Sequence, residues 1–251
     1  MIAHERQKAI LEALETQPTL SVQVLISSFN ASPATIRRDL DFLEKKGQLI
    51  RIHGGVIHPD SLAGEPTFHQ RLRENPSGKI SIAEKAASMV PPGGTVFVDA
   101  GTTCLEAGRI LLAREDVTVF TNSCPLVNIP NRRQARLVCI GGELREISRA
   151  MVGALALDWL SKLTFHTAFI GASGLSAEGA STTELSEAEI KRQVLSRAKE
   201  RILLADSSKW EVPSTFLYSG WDLFDTWITD SPKMNSVFAR STQSQTKIIV
   251  A

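Results

Sequence analysis

Hydrophobic side chains recur every three or four residues in three consecutive stretches at the start of the chain. The first covers residues 4–14 and the second residues 21–29, and each has a single apolar face. The third follows Ser32, which can cap a helix, and stops before Gly47, which can adopt the left-handed conformation of a helix C-cap. The pattern therefore predicts three short helices.

After these helices, apolar and polar residues alternate over residues 48–53, as is typical of a β-strand. Gly54 and Gly55 can reverse the chain into a second strand over residues 56–57, which makes a hairpin. Three helices followed by a hairpin form a winged helix-turn-helix, and we predict this domain over residues 1–58.

The N-terminal, outward side of the third predicted helix carries polar and basic residues. In a helix-turn-helix, this part of the recognition helix contacts base edges and phosphates in the major groove. Arg37 and Arg38 offer forked donors that suit guanine or phosphate, and charges on the hairpin would contact the DNA backbone. Three amphipathic helices with a basic pair also fit a protein-interaction module. The residues predicted to bind DNA are Ser32, Pro33, Thr35, Arg37, Arg38, Arg51 and His53.

Prolines and glycines interrupt the chain after the hairpin, and no long apolar run occurs there. This composition predicts a linker over residues 59–77, with a short helix over residues 68–74. This segment fits two roles equally well, that of a passive tether and that of a route for an allosteric signal.

Predicted strands and helices alternate over the rest of the chain, residues 78–251. This alternation is typical of an α/β domain in which helices cover a mainly parallel sheet, with the ligand site at the carboxyl ends of the strands. The strands are predicted over residues 95–99, 117–121, 136–140, 167–170, 202–205 and 226–229, and the main helices over residues 80–89, 104–112 and 186–198.

Polar residues and glycines follow four of the predicted strands. The segment from Asp99 to Thr103 opens a helix, so its free backbone amides form an anion site suited to phosphate. Each cluster alone is explained equally well by a turn, but parallel strands bring all four to one crevice. The predicted ligand-binding residues are Asp99, Gly101, Thr102, Thr103, Thr121, Asn122, Ser123, Gly141, Gly142, Ser173, Gly174, Glu187 and Lys209.

Two charged side chains complete this predicted site. Lys209 follows a strand and could reach a phosphate or a sugar hydroxyl, while Asp99 or Glu187 could accept hydrogen bonds from hydroxyls. Glu187 and Lys191 lie four residues apart on one predicted helix, so an ordinary helical ion pair fits them as well.

Composition excludes several classes of protein. Of the 251 residues, 43% are hydrophobic and 22% are charged, which is not the composition of a disordered chain or a membrane protein. No apolar run approaches the roughly 20 residues that a helix needs to span a membrane. Its N-terminus lacks the pattern of a signal peptide, so we expect a cytoplasmic protein with no membrane partner. Cys104, Cys124 and Cys139 include no closely spaced pair, and we predict no disulfide framework, metal or cofactor.

The motifs resemble the DeoR family of bacterial regulators. Arg37-Arg38-Asp39-Leu40 and the later Gly54-Gly55 are similar to the family's helix-turn-helix signature, although Ala31 replaces its usual valine. The second half is similar to the family's sensor domain in Asp99-Ala100-Gly101-Thr102-Thr103, Thr121-Asn122-Ser123, Gly141-Gly142, Phe169-Ile170-Gly171 and Ala205-Asp206-Ser207-Ser208-Lys209, and Ser181 is a local deviation.

The resemblance implies a winged helix-turn-helix joined to an α/β sensor domain related in fold to ribose-5-phosphate isomerase. It also implies a repressor of carbohydrate-catabolism genes that leaves a double-stranded DNA operator when a phosphorylated sugar effector binds. Because such a repressor reads two half-sites, we expect a homo-oligomer, a dimer or tetramer, held together by the sensor domain.

A sugar-phosphate isomerase-like enzyme with an appended DNA-binding domain is the alternative. Glu187 could then act as the base and Lys209 could polarise the carbonyl. However, catalysis would consume the signal that a fused DNA reader has to sense, and the sequence contains no recognisable set of nucleophile, base and orienting group. We therefore expect a regulator and not an enzyme.

Overall fold

A computed structural model shows the chain as two compact units, Met1–Glu74 and Asn75–Ala251. Each unit has its own hydrophobic core. The structure describes residues 2–17, 19–59, 65–129, 134–212, 214–234, 238 and 245–251.

The first unit combines short helices with a small antiparallel sheet in the order β1-β3-β2. The three predicted helices and the hairpin are confirmed, whereas β1 was missed because its partner β3 lies more than 30 residues further along the chain and no turn connects the two. The elements are α1 (Ala3–Thr16), β1 (Thr19–Ser21), α2 (Val22–Phe29), α3 (Pro33–Lys45), β2 (Ile50–Ile52), β3 (Gly55–Ile57) and α4 (Phe68–Arg73).

Local sequence sets both ends of α3. The Ser32 hydroxyl accepts a hydrogen bond from the amide of Thr35 at 3.2 Å, as expected of an N-cap. At the other end, Gly47 has a φ of +69° and donates its amide to the carbonyl of Glu44 at 2.8 Å. The next amide donates to the carbonyl of Leu43 at 3.0 Å, which completes a Schellman motif. The residues on the exposed start of α3 are therefore well defined.

The two glycines of the hairpin have different roles. Gly54 has a φ of +77° and forms the turn, but Gly55 lies in β3, where it pairs with Ile52 and Ser21. The predicted turn at both glycines is thus wrong by one residue. A Cβ on Gly55 would lie 2.5 Å from the carbonyl oxygen of Leu20, so the close approach of β1 requires glycine here.

A buried ion pair joins α1 to α3 in the first unit. Arg6 Nε donates to Asp39 Oδ2 at 2.6 Å, and Gln7 Nε2 donates to Asp39 Oδ1 at 2.9 Å. The apolar core around this pair consists of Ile10, Leu14, Leu20, Leu25, Ile36, Leu40, Leu43, Leu49 and Val56.

The short helix α4 belongs to the first unit. Thr67 and Gln70 cap its start reciprocally, Phe68 is buried, and the Arg73 guanidinium donates to the carbonyl of Thr16 at 3.2 Å. This helix was predicted as part of the linker, whose residues 60–64 lie outside the described residues.

The second unit begins earlier than predicted. Asn75 caps α5, and Pro76 occupies its first position, so the helix starts four residues before the predicted position at Ile80. The expected domain boundary at residue 78 therefore falls within this helix.

A seven-stranded parallel sheet forms the centre of the second unit, in the order β15-β14-β12-β9-β4-β5-β6. All six predicted strands are confirmed. The elements are α5 (Pro76–Met89), β4 (Thr95–Val98), α6 (Thr102–Leu112), β5 (Thr118–Thr121), α7 (Cys124–Val127), β6 (Arg136–Cys139), β7 (Glu143–Arg145), β8 (Ala150–Val152), α8 (Ala154–Ser161), β9 (Phe165–Ile170), β10 (Gly174–Ser176), β11 (Gly179–Thr182), α9 (Leu185–Arg197), β12 (Ala198–Leu204), β13 (Phe216–Ser219), β14 (Thr226–Thr229) and β15 (Lys247–Val250).

The strand order changes direction at β4. From β4 the chain moves outward through β5 to β6, and it then returns to place β9 on the other side of β4. In such sheets the carboxyl ends of the two strands at the reversal leave a crevice between them, which is where ligands bind. Here the crevice lies between the loops that follow β4 and β9.

Smaller β-elements surround this crevice. The strands β7 and β8 form an antiparallel hairpin, and β10, β11 and β13 form a separate antiparallel sheet. These elements were not predicted, since most of them lack the apolar run that marks the equally short strands of the parallel sheet.

We predict that Asp39→Ala lowers the free energy of unfolding of the first unit by about 3 kcal/mol, because Arg6 loses its buried carboxylate partner. Urea unfolding followed by circular dichroism measures this loss. All four tryptophans lie in the second unit, so their fluorescence transition should not move. Asp41→Ala is the control, since its half-exposed carboxylate should contribute less than about 1 kcal/mol. Equal losses for the two variants would contradict the prediction.

Candidate functional site

Asp99 lies at the end of β4, where the sheet changes direction. Its backbone amide donates to the carbonyl of Phe169 at 3.0 Å, and its Oδ2 accepts the amide of Gly171 at 3.0 Å. The same oxygen forms an ion pair with Lys191 Nζ from α9. One buried carboxylate thus connects β4, the loop after β9 and α9.

Lys191 is buried beside this carboxylate, with 5% of its surface exposed. Burial on its own lowers the pKa of Lys191, but the carboxylates of Asp99 and Glu187 outweigh burial, and the pKa rises above its ordinary value. Its ammonium lies 5.5 Å from the centre of the Tyr218 ring, whose hydroxyl donates to the carbonyl of Gly171 at 2.8 Å. Lys191 is therefore charged, and its ion-pair partner is Asp99 from another element of the fold.

Glu187, a predicted ligand-binding residue, is held within the protein. Its Oε1 accepts from the Arg145 guanidinium at 3.0 Å, and its Oε2 accepts from the Thr182 hydroxyl at 3.0 Å. The Thr182 hydroxyl in turn lies 3.5 Å from that of Ser173, another predicted ligand-binding residue. Glu187 thus connects α9 to β7 and β11, which makes it suited to positioning the residues around the crevice.

The start of α6 faces the crevice without a side-chain cap. Gly101 is the N-cap residue, and among the described residues no side-chain cap hydrogen bond is made there, so the first amides of this helix keep their donor capacity for another acceptor. Thr102 and Thr103 are 8% and 7% exposed, and their hydroxyls lie on the first turn. A helix start of this kind has the donors that an anion requires.

Cys104 follows these threonines and is fully buried. Burial raises the pKa of its thiol far above the ordinary value, and the negative charge of Asp99 raises it further. The thiol therefore stays neutral and is not an activated nucleophile.

The side chains of the predicted cluster after β5 hydrogen-bond to backbone groups around the crevice. Thr121 donates its hydroxyl to the carbonyl of Val98 at 2.6 Å, Asn122 Oδ1 accepts the amide of Ala100 at 3.0 Å, and the Ser123 hydroxyl caps α7. All three side chains are at most 2% exposed. Asn122 therefore fixes the loop that leads into α6, and the cluster acts as a scaffold in this structure.

Two of the predicted glycines are explained by packing. A Cβ on Gly142 would contact the carbonyl oxygen of Val152, and a Cβ on Gly174 would contact that of Val212. Both glycines allow two backbone segments to approach closely. Gly141 differs, because a Cβ there would meet no atom within 4 Å.

Lys209 ends a 3-10 turn that follows β12, next to β9 in the sheet. Ser207 starts this turn and donates its amide to Asp230 Oδ1 at 2.7 Å, while Asn75 Nδ2 donates to Asp230 Oδ2 at 2.7 Å. Burial raises the pKa of Asp230, but these hydrogen bonds outweigh burial and hold the pKa below its ordinary value. A charged carboxylate thus connects the turn of Lys209 to Asn75, the first residue of the second unit.

The predicted DNA-binding residues surround the start of α3 and the hairpin. Ser32, Pro33, Arg37, Arg38 and His53 are exposed, and Thr35 is half-buried. The Arg51 guanidinium forms an ion pair with Asp41 on α3, so it is held beside this helix.

Within the described ranges, no helix is long and apolar enough to cross a membrane. The same residues contain no group of three or more His, Cys, Asp or Glu side chains placed to hold a metal ion.

Comparison with known families matches both units. The model for the DeoR C-terminal sensor domain matches residues 74–231, and the model for the DeoR-like helix-turn-helix domain matches residues 6–62. The chain belongs to the DeoR family. The resemblance stated from the motifs is thereby confirmed, as is the fold class, and the first unit is the DNA-binding domain of this DeoR-family regulator.

Curated relatives of this DeoR-family protein match over most of their length. The lactose phosphotransferase system repressor of Lactococcus lactis subsp. lactis is 34% identical over 90% of both chains. The glycerol-3-phosphate regulon repressor of Escherichia coli K12 is 30% identical over 93% of both chains. Among solved structures, ribose 5-phosphate isomerase A of Methanocaldococcus jannaschii has a TM-score of 0.38, with 19% identity over 55% of each chain. That structural likeness is too distant to carry a functional argument.

Several polar residues of this DeoR-family crevice were missed or misassigned in the sequence. Arg145 and Tyr218 lie on short strands that show no periodicity. Lys191 had a usable signal, because it lies on the apolar face of its helix and is buried. A lysine among core positions of a helix indicates a charged partner inside the fold.

We predict that Lys191→Met and Asp99→Asn each destabilise the second unit by about 3 kcal/mol, because each leaves the other's buried charge uncompensated. The double variant should lose less than the sum of the two single losses, by about 1 to 3 kcal/mol. Urea unfolding followed by tryptophan fluorescence measures this coupling.

The pair Glu106 and Arg109 on α6, in which Glu106 is half-buried and Arg109 exposed, provides the control cycle, with Glu106→Gln and Arg109→Met. Its coupling should stay below about 0.5 kcal/mol. Additive losses at Asp99 and Lys191 would show that the two charges do not compensate each other.

Proposed function

We propose that this DeoR-family protein is a repressor of carbohydrate-catabolism genes and leaves its operator when a phosphorylated sugar, or a related phosphorylated metabolite, binds the second unit. The observation that carries the proposal is the uncapped start of α6 at the point where the sheet reverses. The names of two relatives, a glycerol-3-phosphate regulon repressor and a lactose phosphotransferase system repressor, point to metabolites of the same class.

The chemistry around α6 suits a phosphate. A phosphate group offers only acceptors at its anionic oxygens, and the first turn of α6 offers amides, the Thr102 and Thr103 hydroxyls and the positive end of the helix dipole. Lys209 follows a neighbouring strand and adds a cation at this edge of the sheet. Asp99 does not repel an anion strongly here, because Lys191 neutralises its charge.

The sugar portion would extend toward the loop after β9 and the glycine pair after β6. Ser173 offers a hydroxyl and Gly141 leaves open space beside the backbone. We keep the whole predicted set as the proposed site, with different roles within it. The residues that hold the backbone and side chains in place are Asp99, Thr121, Asn122, Ser123, Gly142, Gly174 and Glu187. Those that contact the effector are Gly101, Thr102, Thr103, Gly141, Ser173 and Lys209.

The contacts of the two buried carboxylates favour ligand binding without catalysis. An isomerase needs a carboxylate base that can reach a carbon-bound proton. Asp99 is occupied by Lys191 and the amide of Gly171, and Glu187 by Arg145 and Thr182. We therefore propose a sensor and not an enzyme, and a conversion assay on each bound sugar phosphate tests this by looking for product.

Operator binding would use the start of α3. Arg37 and Arg38 are exposed there, so both guanidinium groups can reach a base edge or a phosphate in the major groove. Arg51 and His53 on the hairpin would contact the DNA backbone. The proposal places this regulator in the cytoplasm as a homo-oligomer.

A physical route from the effector to the DNA-binding domain is available. The turn of Lys209 is connected through Asp230 to Asn75, and Asn75 is joined in the chain to Glu74, the last residue of the first unit. An effector that shifts this turn would change the start of α5, and by linkage operator DNA would weaken effector binding by the same factor.

We predict that Arg38→Ala weakens operator binding by about 1 to 3 kcal/mol, roughly 5- to 150-fold, because a contact to a base or phosphate is lost. Fluorescence anisotropy with an operator fragment selected from a random duplex pool measures this. Arg192→Ala removes an exposed arginine of α9 and should leave operator affinity unchanged. Sugar-phosphate binding should be unaffected in both variants.

Thr102→Val tests whether the effector binds at the start of α6. Loss of a hydroxyl that donates to a phosphate should raise the effector concentration needed for release by about tenfold or more, since such hydrogen bonds contribute about 1.5 to 3 kcal/mol. Thr215→Val, at an exposed position, is the matched control. Operator affinity without effector should stay that of the parent. Equal loss of operator and effector binding in Thr102→Val would contradict separate sites.

A further inference from the structure

The solvent-facing side of α3 follows from the burial of its other side. The buried residues of this helix are Ile36, Asp39, Leu40 and Leu43. At 3.6 residues per turn, the opposite side carries a stripe of residues spaced three or four apart, and all of them are exposed: Ala34, Arg38, Asp41 and Lys45. In a helix-turn-helix, this side of the recognition helix faces the major groove. Asp41 therefore lies in the middle of the surface that faces DNA.

A carboxylate in this stripe needs an explanation, because DNA phosphates repel it. Asp41 lies about one turn from both Arg38 and Lys45, and 52% of its side chain is exposed. Its charge is paired, since the Arg51 guanidinium on β2 forms an ion pair with Asp41 Oδ1. The two opposite charges cancel, so Asp41 can approach DNA without the repulsion of a lone carboxylate.

Arg51 is itself held against α3. Its backbone amide donates to Glu44 Oε1 at 3.4 Å, and Glu44 follows Asp41 by three residues on this helix. The hairpin thus contacts α3 through two acidic side chains, and the ion pair fixes the direction of the Asp41 carboxylate. A carboxylate has about four acceptor positions, and the contact with Arg51 uses one of them. Asp41 can therefore accept a further hydrogen bond.

We infer that Asp41 determines part of the operator sequence. Its carboxylate accepts a hydrogen bond from the exocyclic amine of a cytosine in the major groove, while Arg51 neutralises and orients it. A charged carboxylate only accepts, and cytosine presents the N4 donor there, whereas guanine presents two acceptors and thymine an acceptor and a methyl group. Adenine has a donor, but its N7 acceptor lies beside it and repels a carboxylate.

Selection of operators by the full chain from a random duplex pool tests this inference. The parent should prefer cytosine at one position of each half-site by about fivefold or more. Asp41→Asn offers a donor and an acceptor, the combination that adenine pairs with, so the preference at this position should change to adenine. Asp41→Ala should lose the preference for cytosine. Preferences at the other positions should stay those of the parent.

Glu12→Gln is the matched control. Glu12 lies on α1, has a side chain that is 62% exposed and pairs with Lys8 at 3.7 Å, so this variant removes an exposed, paired carboxylate outside the stripe. It should select the parent's operator. Circular dichroism establishes that the Asp41 variants are folded.

The affinity for random duplex DNA reports on the ion pair independently. Asp41→Asn leaves the Arg51 guanidinium without its carboxylate and adds one positive charge to this surface. Affinity for random duplex should therefore rise. The slope of log affinity against log salt should steepen by up to about 0.9, the value for one more phosphate contact. A merely structural role of Asp41 would instead weaken binding to every sequence, random duplex included.

The inference rests on the proposed function in one respect, namely that α3 lies in the major groove. It is overturned if the Asp41 variants select the parent's base at every position, or if Asp41→Asn weakens binding to every sequence. If that occurs while Arg38→Ala still weakens operator binding and a sugar phosphate still releases the operator, the proposed function stands. If Asp41→Asn changes the selected base but no sugar phosphate releases the parent, the inference stands and the proposed sensing fails.

Discussion

The carboxylate of Asp99 fixes the geometry on which the sensor domain depends. It lies where the strand order reverses, and it binds the Gly171 amide and the Lys191 ammonium with the same oxygen. A parallel sheet leaves a crevice at such a reversal, but the loops on either side have to be held apart and in register for the crevice to bind anything. Lys191 also neutralises this carboxylate, so the start of α6 keeps a local potential that favours an anion.

Most polar residues near this crevice bind other parts of the protein. Asn122 holds the backbone of Ala100, and Glu187 holds Arg145 and Thr182, so both act through the residues they position. A preorganised site of this kind loses little entropy when a small anion binds, because its donors are already ordered. The Asp230 carboxylate extends the ordered network to Asn75, at the beginning of the second unit. We propose that this network transmits the effect of effector binding to Asn75.

The long regular elements were predictable because their periodicity and end signals agree. Ser32, Pro33 and Gly47 defined α3, and six apolar segments defined six of the seven strands of the parallel sheet, all but β15. The strands outside the parallel sheet were missed, since most of them are short and lack an apolar run. In the site, the loop from Asp99 to Thr103 was predicted from its position between a strand and a helix. The ion pair between Asp99 and Lys191 was not, because these residues are 92 positions apart and only the packing of α9 brings them together. Glu187 was expected to bind ligand for the same reason. Its partner Arg145 lies 42 positions away, and only the folded chain brings the two together.

Isothermal titration calorimetry of the full chain tests the central claim most directly, with triose, pentose and hexose phosphates compared against the same sugars without phosphate. If the start of α6 holds the phosphate, at least one phosphorylated compound should bind, its unphosphorylated counterpart should not, and inorganic phosphate should compete with it. Hydrogen exchange at the amides of Thr102, Thr103 and Cys104 should slow in the same complex. Equal binding of a sugar with and without its phosphate, or no binding across the panel, would contradict the account.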